Sequence, residues 1–388
     1  MPCGRTANLD KQVKRISAAE RMRSGCQRAR RRSVWRSFLF LSVLFLIQSH
    51  SSEAKAQPLS KKAEWGKLLF FEPRLSANGK VSCATCHEMG RAFTENRATS
   101  KDIEGHSVGR NSPTLINAAH MDVLTWANPV LRKLENQIIV PLFLDTPGEM
   151  ALIRVWPKVR AELLEQPPHI DLYRSAFPED KGPPDTRHLF AALAEYVRTL
   201  EAFDSPYDRL LAGERNALNP KAQRGRELFF SKRTNCAACH SGLLLSNAAK
   251  SEFLTDKDPL SLPPAKDKSG RIIQFAHNGL YNWDGKGGMP EKQEGLYEFS
   301  LKLEDRGKFR IPPLRNVART PPYMHDGSLE TLDDVIEHYN RGGTNRCLKK
   351  KDCRSAPQKH PLVRPLYLSS AEKESLVEFL KSLSTKKF

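Results

Sequence analysis

The chain has 388 residues, of which 39% are hydrophobic and 27% charged, with a formal net charge of +18. That is too apolar for a disordered tail and long enough for two domains of ordinary size. The charge is uneven: the first 56 residues hold 12 Lys/Arg against 3 Asp/Glu, which leaves 50 against 41 for the rest.

Residues 1–56 read as an export signal with an N-terminal extension. Arg28, Arg30, Arg31, Arg32 and Arg36 make a basic region. An apolar stretch follows from Phe38 to Ile47, then a polar segment ending in the small-x-small cleavage pattern Ala54-Lys55-Ala56. Ten apolar residues are too few to span a bilayer as a helix; an uncleaved anchor is the alternative. The mature chain, from about Gln57, is expected to be soluble and periplasmic.

The next elements are helices. Ser60 caps the first, with Leu68, Leu69 and Phe70 on one side. It leads through a polar loop into Cys83-Ala-Thr-Cys86-His87. A helix over "DTRHLFAALAEYVRTLEAF" carries Leu189, Leu193, Tyr196, Leu200 and Phe203 at helical spacing. The turn-rich stretch after it places a domain boundary near residue 215. The first phrase is then repeated. Asn219 caps a helix with Pro220 in its first turn, "GRELFF" echoes "GKLLFF", and a loop ends in Cys236-Ala-Ala-Cys239-His240. The last helix begins with a Ser369/Glu372 capping box and buries Leu376, Phe379, Leu380 and Leu383. Sustained alternation is scarce, so the expected fold is all-α with long loops. It is built as two copies of one plan, residues 57–215 and 216–388. Cys347 and Cys353, in a polar loop of an exported chain, read as a disulfide clip.

Cys-x-x-Cys-His is the attachment signature of c-type haem. Two thiols on one helical turn form thioethers to one porphyrin, and the histidine beneath supplies the proximal iron ligand. The chain therefore predicts two covalently bound haem c groups, on Cys83, Cys86 and His87 and on Cys236, Cys239 and His240. A nucleic-acid partner is not expected of an exported haem protein. For the sixth ligands, the second half offers Met324, His325, His338 and Tyr339. The first half contains Trp126, Gln137, Pro141 and Glu149 but offers no methionine in a loop built for ligation. Met121 and Met150 lie in apolar surroundings that suit packing equally well. An iron with an open side binds peroxide or oxygen, and a nearby carboxylate moves the proton that cleavage of the O–O bond requires.

With its two haem motifs, "GRNSPTLINA", "LENQIIVPL", "GEM", "PPLRNVARTPPYMHDGSLETL" and the terminal helix, the chain resembles the bacterial di-haem cytochrome c peroxidase and MauG superfamily over nearly all of residues 60–385. "LTWANPVL" and "HNGLYNWDG" look closest to the branch holding the methanobactin-associated di-haem protein. The resemblance implies two cytochrome c-like domains, a peroxide-reacting haem on His87 and an electron-transfer haem on His240. In the peroxidases a methionine fourteen residues after the histidine of "Y-x-H-x-G" ligates the second haem; here that position is Tyr339, the MauG arrangement. Gln137 and Pro141 keep the family spacing on the distal side. Glu149 matches the distal acid, two residues later than usual, and Trp126 matches the relay tryptophan, with "WANP" in place of "WDGR". Asn111 and the backbone oxygens of Thr320 and Pro322 match a calcium site. His106 lies in the loop of the peroxidases' switching histidine but too close to Arg110, and is read as an exposed loop residue. The expected activity is reduction of hydrogen peroxide with oxidation of a protein electron donor or a protein side chain. A non-catalytic di-haem electron carrier is the alternative.

Overall fold

A computed structural model of the chain describes residues 58–146, 148–255, 257–280, 293–343 and 359–387. The export segment and the Cys347/Cys353 pair lie outside them. Gln57–Phe388 forms one compact unit.

The described residues are mostly helical. Helix α1 (Lys61–Phe70) starts where the Ser60 hydroxyl accepts a hydrogen bond from the Ala63 N–H at 3.2 Å. Single-turn α2 (Cys83–Cys86), α3 (Leu134–Phe143), α4 (Trp156–Val159) and α5 (His169–Ala176) follow. Asp185 caps α6 (Thr186–Arg198), and Ser205 caps α7 (Pro206–Leu211). The second half has α8 (Pro220–Phe229), capped by Asn219 with Pro220 at its first position, then α9 (Cys236–Cys239) and α10 (Tyr297–Ser300). It closes with α11 (Leu332–Asn340) and α12 (Ser370–Lys381), whose Ser369/Glu372 capping box is formed as expected. The only sheet among the described residues is a two-residue antiparallel pair, β1 (Phe275–Ala276) with β2 (Phe309–Arg310).

Glycine explains why the two Leu-Phe-Phe helices sit where they do. A Cβ on Gly66 would lie 1.9 Å from the Ala192 carbonyl oxygen, and one on Gly225 would lie 1.8 Å from that of Ser375. Only glycine lets α1 cross α6, and α8 cross α12, at this separation. Each crossing seeds a core. One gathers Trp65, Leu69, Phe70, Tyr173, Leu189 and Leu193; the other gathers Tyr207, Phe229, Phe230, Leu376, Phe379 and Leu380. Two smaller clusters draw on both halves of the chain. Leu124 and Val197 meet Leu244 and Ala248 in one, and Trp126 packs with Leu280, Phe309 and Met324 in the other.

Helix α6 stops short of the predicted stripe, at Arg198. The following segment is taken by Asn117, whose backbone N–H donates to Leu200 O at 2.8 Å. The Asn117 side chain accepts from the Ala202 N–H and donates to Ala202 O, both at 3.0 Å. Leu200 still packs in the core from this extended segment. The second half repeats the device: the Asn316 N–H donates to Leu383 O at 3.0 Å, and its side chain accepts from the Thr385 N–H at 2.9 Å. Both asparagines adopt the left-handed conformation, which asparagine tolerates better than most residues.

Candidate functional site: two histidine-cysteine turns and a cavity beside the first

The two Cys-x-x-Cys-His turns are built alike. After α2, the His87 N–H donates to Cys83 O at 3.0 Å; after α9, the His240 N–H donates to Cys236 O at the same distance. The ring Nδ1 of His87 lies 2.9 Å from Phe93 O, and that of His240 lies 2.9 Å from Leu245 O. A carbonyl only accepts, so each Nδ1 carries the proton and each Nε2 presents a lone pair suited to a metal. Burial pulls both imidazoles below their usual range, His240 to about 4, so they stay neutral. All four cysteines are thiols rather than disulfides. Burial pushes Cys83, Cys86 and Cys239 up to about 12. Such thiols are poor redox nucleophiles.

A cavity of about 780 Å³ opens beside the first turn. Cys83, Cys86 and His87 line it together with Trp126, Gln137, Pro141 and Glu149, so the structure gathers every residue predicted for the first haem. Gln137 and Pro141 come one turn apart on α3. Met121 and Met150 also border the cavity but are buried in the hydrophobic clusters. The Gln137 Oε1 is buried with no hydrogen-bond partner, and so is the Arg310 Nε in the same lining. Unpaired polar atoms around an apolar cavity of this size fit a large group that carries both iron-bound ligands and carboxylates.

Glu149 is a lining carboxylate with a displaced titration. Burial first, and then the nearby Glu95 carboxylate, push it up to about 7. Glu95 itself is 2% exposed and accepts hydrogen bonds from the hydroxyls of Ser100 and Ser112, the latter at 3.2 Å. Sequence reasoning missed Glu95 and Arg310, because an isolated Glu or Arg looks like any surface charge in one dimension.

The candidates near the second turn separate by what they touch. The His338 Nε2 lies 3.0 Å from Asn278 O and donates to it. Met324 accepts a hydrogen bond from the Asn278 amide at 3.4 Å and packs toward Trp126. His325 stacks on Phe309 with ring centroids 3.4 Å apart. Tyr339 packs with Cys236 against the second core. Burial and the proximity of Cys239 raise its phenol. The Tyr339 phenol also hydrogen-bonds the Asn278 side chain, and of the four candidates it is the one whose titration is influenced by the cysteines of the second turn.

Trp126 and Asn111 join the two regions. The indole Nε1–H donates to Asn111 O at 2.7 Å, and the Asn111 N–H donates to His325 O at 2.8 Å. The Asn111 side-chain NH₂ donates to Arg97 O and Ala98 O, so ligation by this side chain would use Oδ1. Thr320 and Pro322 lie in the loop just before His325. His106 is exposed and paired with Asp102 at 3.5 Å, as expected of a loop residue.

Comparison with known proteins agrees with this geometry. The family described as di-haem cytochrome c peroxidase matches residues 60–216. Cytochrome-c peroxidase IdrP2 of Denitromonas iodatirespirans is 31% identical over 339 residues, covering 86% of this chain and 85% of that protein. Methylamine utilization protein MauG of Methylorubrum extorquens is 30% identical over 330 residues, covering 85% and 80%. The crystal structure of a MauG-like protein associated with microbial copper homeostasis superposes with a TM-score of 0.74 at 35% identity, covering 85% of this chain and 91% of that one. The repeated Cys-x-x-Cys-His turns, the cavity beside the first of them and these relatives together show that the chain belongs to the di-haem cytochrome c peroxidase family, a family of haem peroxidases.

Proposed function

We propose that the chain is an exported, periplasmic di-haem c-type oxidoreductase made of two cytochrome c-like domains, residues 57–215 and 216–388. It reduces hydrogen peroxide at the haem held by Cys83, Cys86 and His87. It draws the two electrons from a protein donor or a protein side chain through the haem held by Cys236, Cys239 and His240. The observation that carries this reading is Glu149, a buried carboxyl pushed up to about 7 in the cavity that also holds His87. A group with this titration exchanges protons readily at neutral pH.

When bound, the haem would supply a redox-active iron that binds peroxide. The chain's own residues do the rest. His87 would hold the iron, its Nδ1 fixed by Phe93 O. Glu149 takes a proton from one peroxide oxygen and returns it to the departing one, which leaves as water; two protons from solvent and the two donor electrons then complete the second water. The unpaired Gln137 Oε1 accepts a hydrogen bond from peroxide or water. Pro141 presents no N–H and keeps that wall apolar. Trp126, bonded through Asn111 to the segment holding His325, is the electron relay between the halves. Tyr339 would ligate the second haem iron, and Asn111 with the carbonyls of Thr320 and Pro322 would bind calcium. All are hard oxygen donors suited to that ion.

The experiment is to mix the purified ferric protein with peroxide and follow its absorption spectrum. A high-spin ferric component that peroxide consumes within the mixing experiment supports the enzyme. Two purely low-spin haems that peroxide leaves unchanged would mean the electron carrier instead.

A further inference from the structure

Arg310 has no part in the chemistry above, yet it lies at the centre of the site. It is 4% exposed and lines the cavity beside Trp126. Its backbone N–H donates to Trp126 O at 2.8 Å, and its Nη1 donates to Val123 O at 3.1 Å. Its Nε has no acceptor. The guanidinium carbon stands 5.3 Å from the centroid of the Trp126 ring. Burial alone lowers the group, to about 10, so it remains a cation at neutral pH and no protein carboxylate offsets the burial. A buried charge of this kind needs an anionic counterpart, and a haem propionate is the class of group the cavity would bring.

Trp126 is constrained from the other edge. Its Nε1–H donates to Asn111 O at 2.7 Å, and a backbone carbonyl cannot take that proton away. An indole that loses one electron here keeps its proton and becomes positively charged. That charge would face Arg310. At the effective dielectric of a protein interior, two unit charges at this distance repel enough to change an occupancy by about a hundredfold, before any neutralisation by a bound carboxylate.

We propose that Arg310 is a positioning charge that keeps Trp126 a pass-through relay, one that electrons cross without the oxidising equivalent residing on the indole. One electron leaves Trp126 toward the peroxide-oxidised side, and one arrives from the side of His240. No bond breaks, and the Nε1 proton stays. The proposal rests on the relay role of Trp126, and the test separates the two.

The haem-loaded protein is mixed with peroxide, freeze-quenched and examined by electron paramagnetic resonance for a tryptophan radical. The wild type is expected to show little or none. Arg310→Gln is expected to show at least about ten times more, and Arg310→Lys, which keeps the charge, to match the wild type. The new signal should vanish in the double variant Arg310→Gln/Trp126→Phe. Arg310→Met, uncharged and of similar length, repeats the test should the glutamine variant misfold. The proposal is overturned if the neutral variants gain no radical, or if Arg310→Lys gains as much as Arg310→Gln. The relay reading is probed on its own by Trp126→Phe. If that change leaves electron transfer between the two haems at its wild-type rate, the relay falls and the role of Arg310 falls with it.

Discussion

Glu149 ties the site to pH. Its folded carboxyl holds a proton more tightly than an unfolded one, because burial and Glu95 both oppose its charge. If it is the base that accepts the peroxide proton it must be ionised, and the rate of the peroxide reaction should then rise with pH through about 7 and level off above it. Glu149→Gln should remove that rise and slow the reaction by roughly two to four powers of ten, measured by stopped flow with both haems retained. Its ionisation also costs stability. The glutamine variant should gain stability relative to the wild type as pH rises from the unfolded carboxylate range through about 7, and hold that gain above; thermal melts across this range check the sign. Tyr339 makes a second residue-level prediction. A phenolate favours oxidised iron and a neutral thioether raises haem potential, so Tyr339→Met should make the second haem easier to reduce in a redox titration. If variant and wild type titrate alike, the phenol is not on the iron. At this scale the grouping was legible in part: Cys83, Cys86 and His87, singled out by their spacing, and Gln137 and Pro141, singled out by the family resemblance, line one cavity. Arg310 and Glu95 were not legible, because burial creates their significance and a lone charge in "KFRIPP" or "AFTENR" does not announce it.

The helix crossings carry the element-scale prediction. Gly66→Ala and Gly225→Ala would each drive a methyl into a backbone carbonyl of the opposing helix. Carbonyl oxygens on a helix cannot swing aside as a flexible side chain can, so α1 must lift from α6, or α8 from α12. Each change should cost about 1–3 kcal/mol or more, the usual range for overpacking, read by chemical denaturation. Gly90→Ala is the control: nothing lies within 4 Å of its Cβ position, and it should fall within about 0.5 kcal/mol of the wild type. The helices themselves were readable from caps and period, down to Ser60, Asn219 and Ser369. The end of α6 was not. Leu200 and Phe203 continue the apolar spacing, but the Asn117 side chain captures the backbone at Ala202, and a partner 85 residues away in sequence leaves no local signal. The short β1–β2 pair escaped for a similar reason: two residues are too few to show alternation.

For the molecule as a whole, two covalent haems per chain are expected. The mass of denatured, solvent-washed protein should carry both, and changing Cys83 and Cys86 together, or Cys236 and Cys239, to serine should remove one. Calcium is tested by chelation. If Asn111, Thr320 and Pro322 hold the ion, removing it should loosen the Asn111 carbonyl that orients Trp126 and slow electron passage between the haems, with one calcium per chain by elemental analysis of the untreated protein. The doubled plan was visible in the twin Leu-Phe-Phe and Cys-x-x-Cys-His phrases, whereas the twin asparagines in "PTLINAA" and "PPLRNVA" became recognisable as a pair only through their matching hydrogen bonds. What the halves share thus lies in a common frame: a glycine crossing, two thiols, a carbonyl on each Nδ1 and an asparagine clip. What they do not share, Glu149 and Gln137 on one side and Tyr339 on the other, lies outside that frame. Descent can act on these parts separately. A lineage that inherits both frames intact can exchange one reactivity for another through a few substitutions in a single half, while the other half, with its own glycine and its own clip, goes on folding and holding its metal as before.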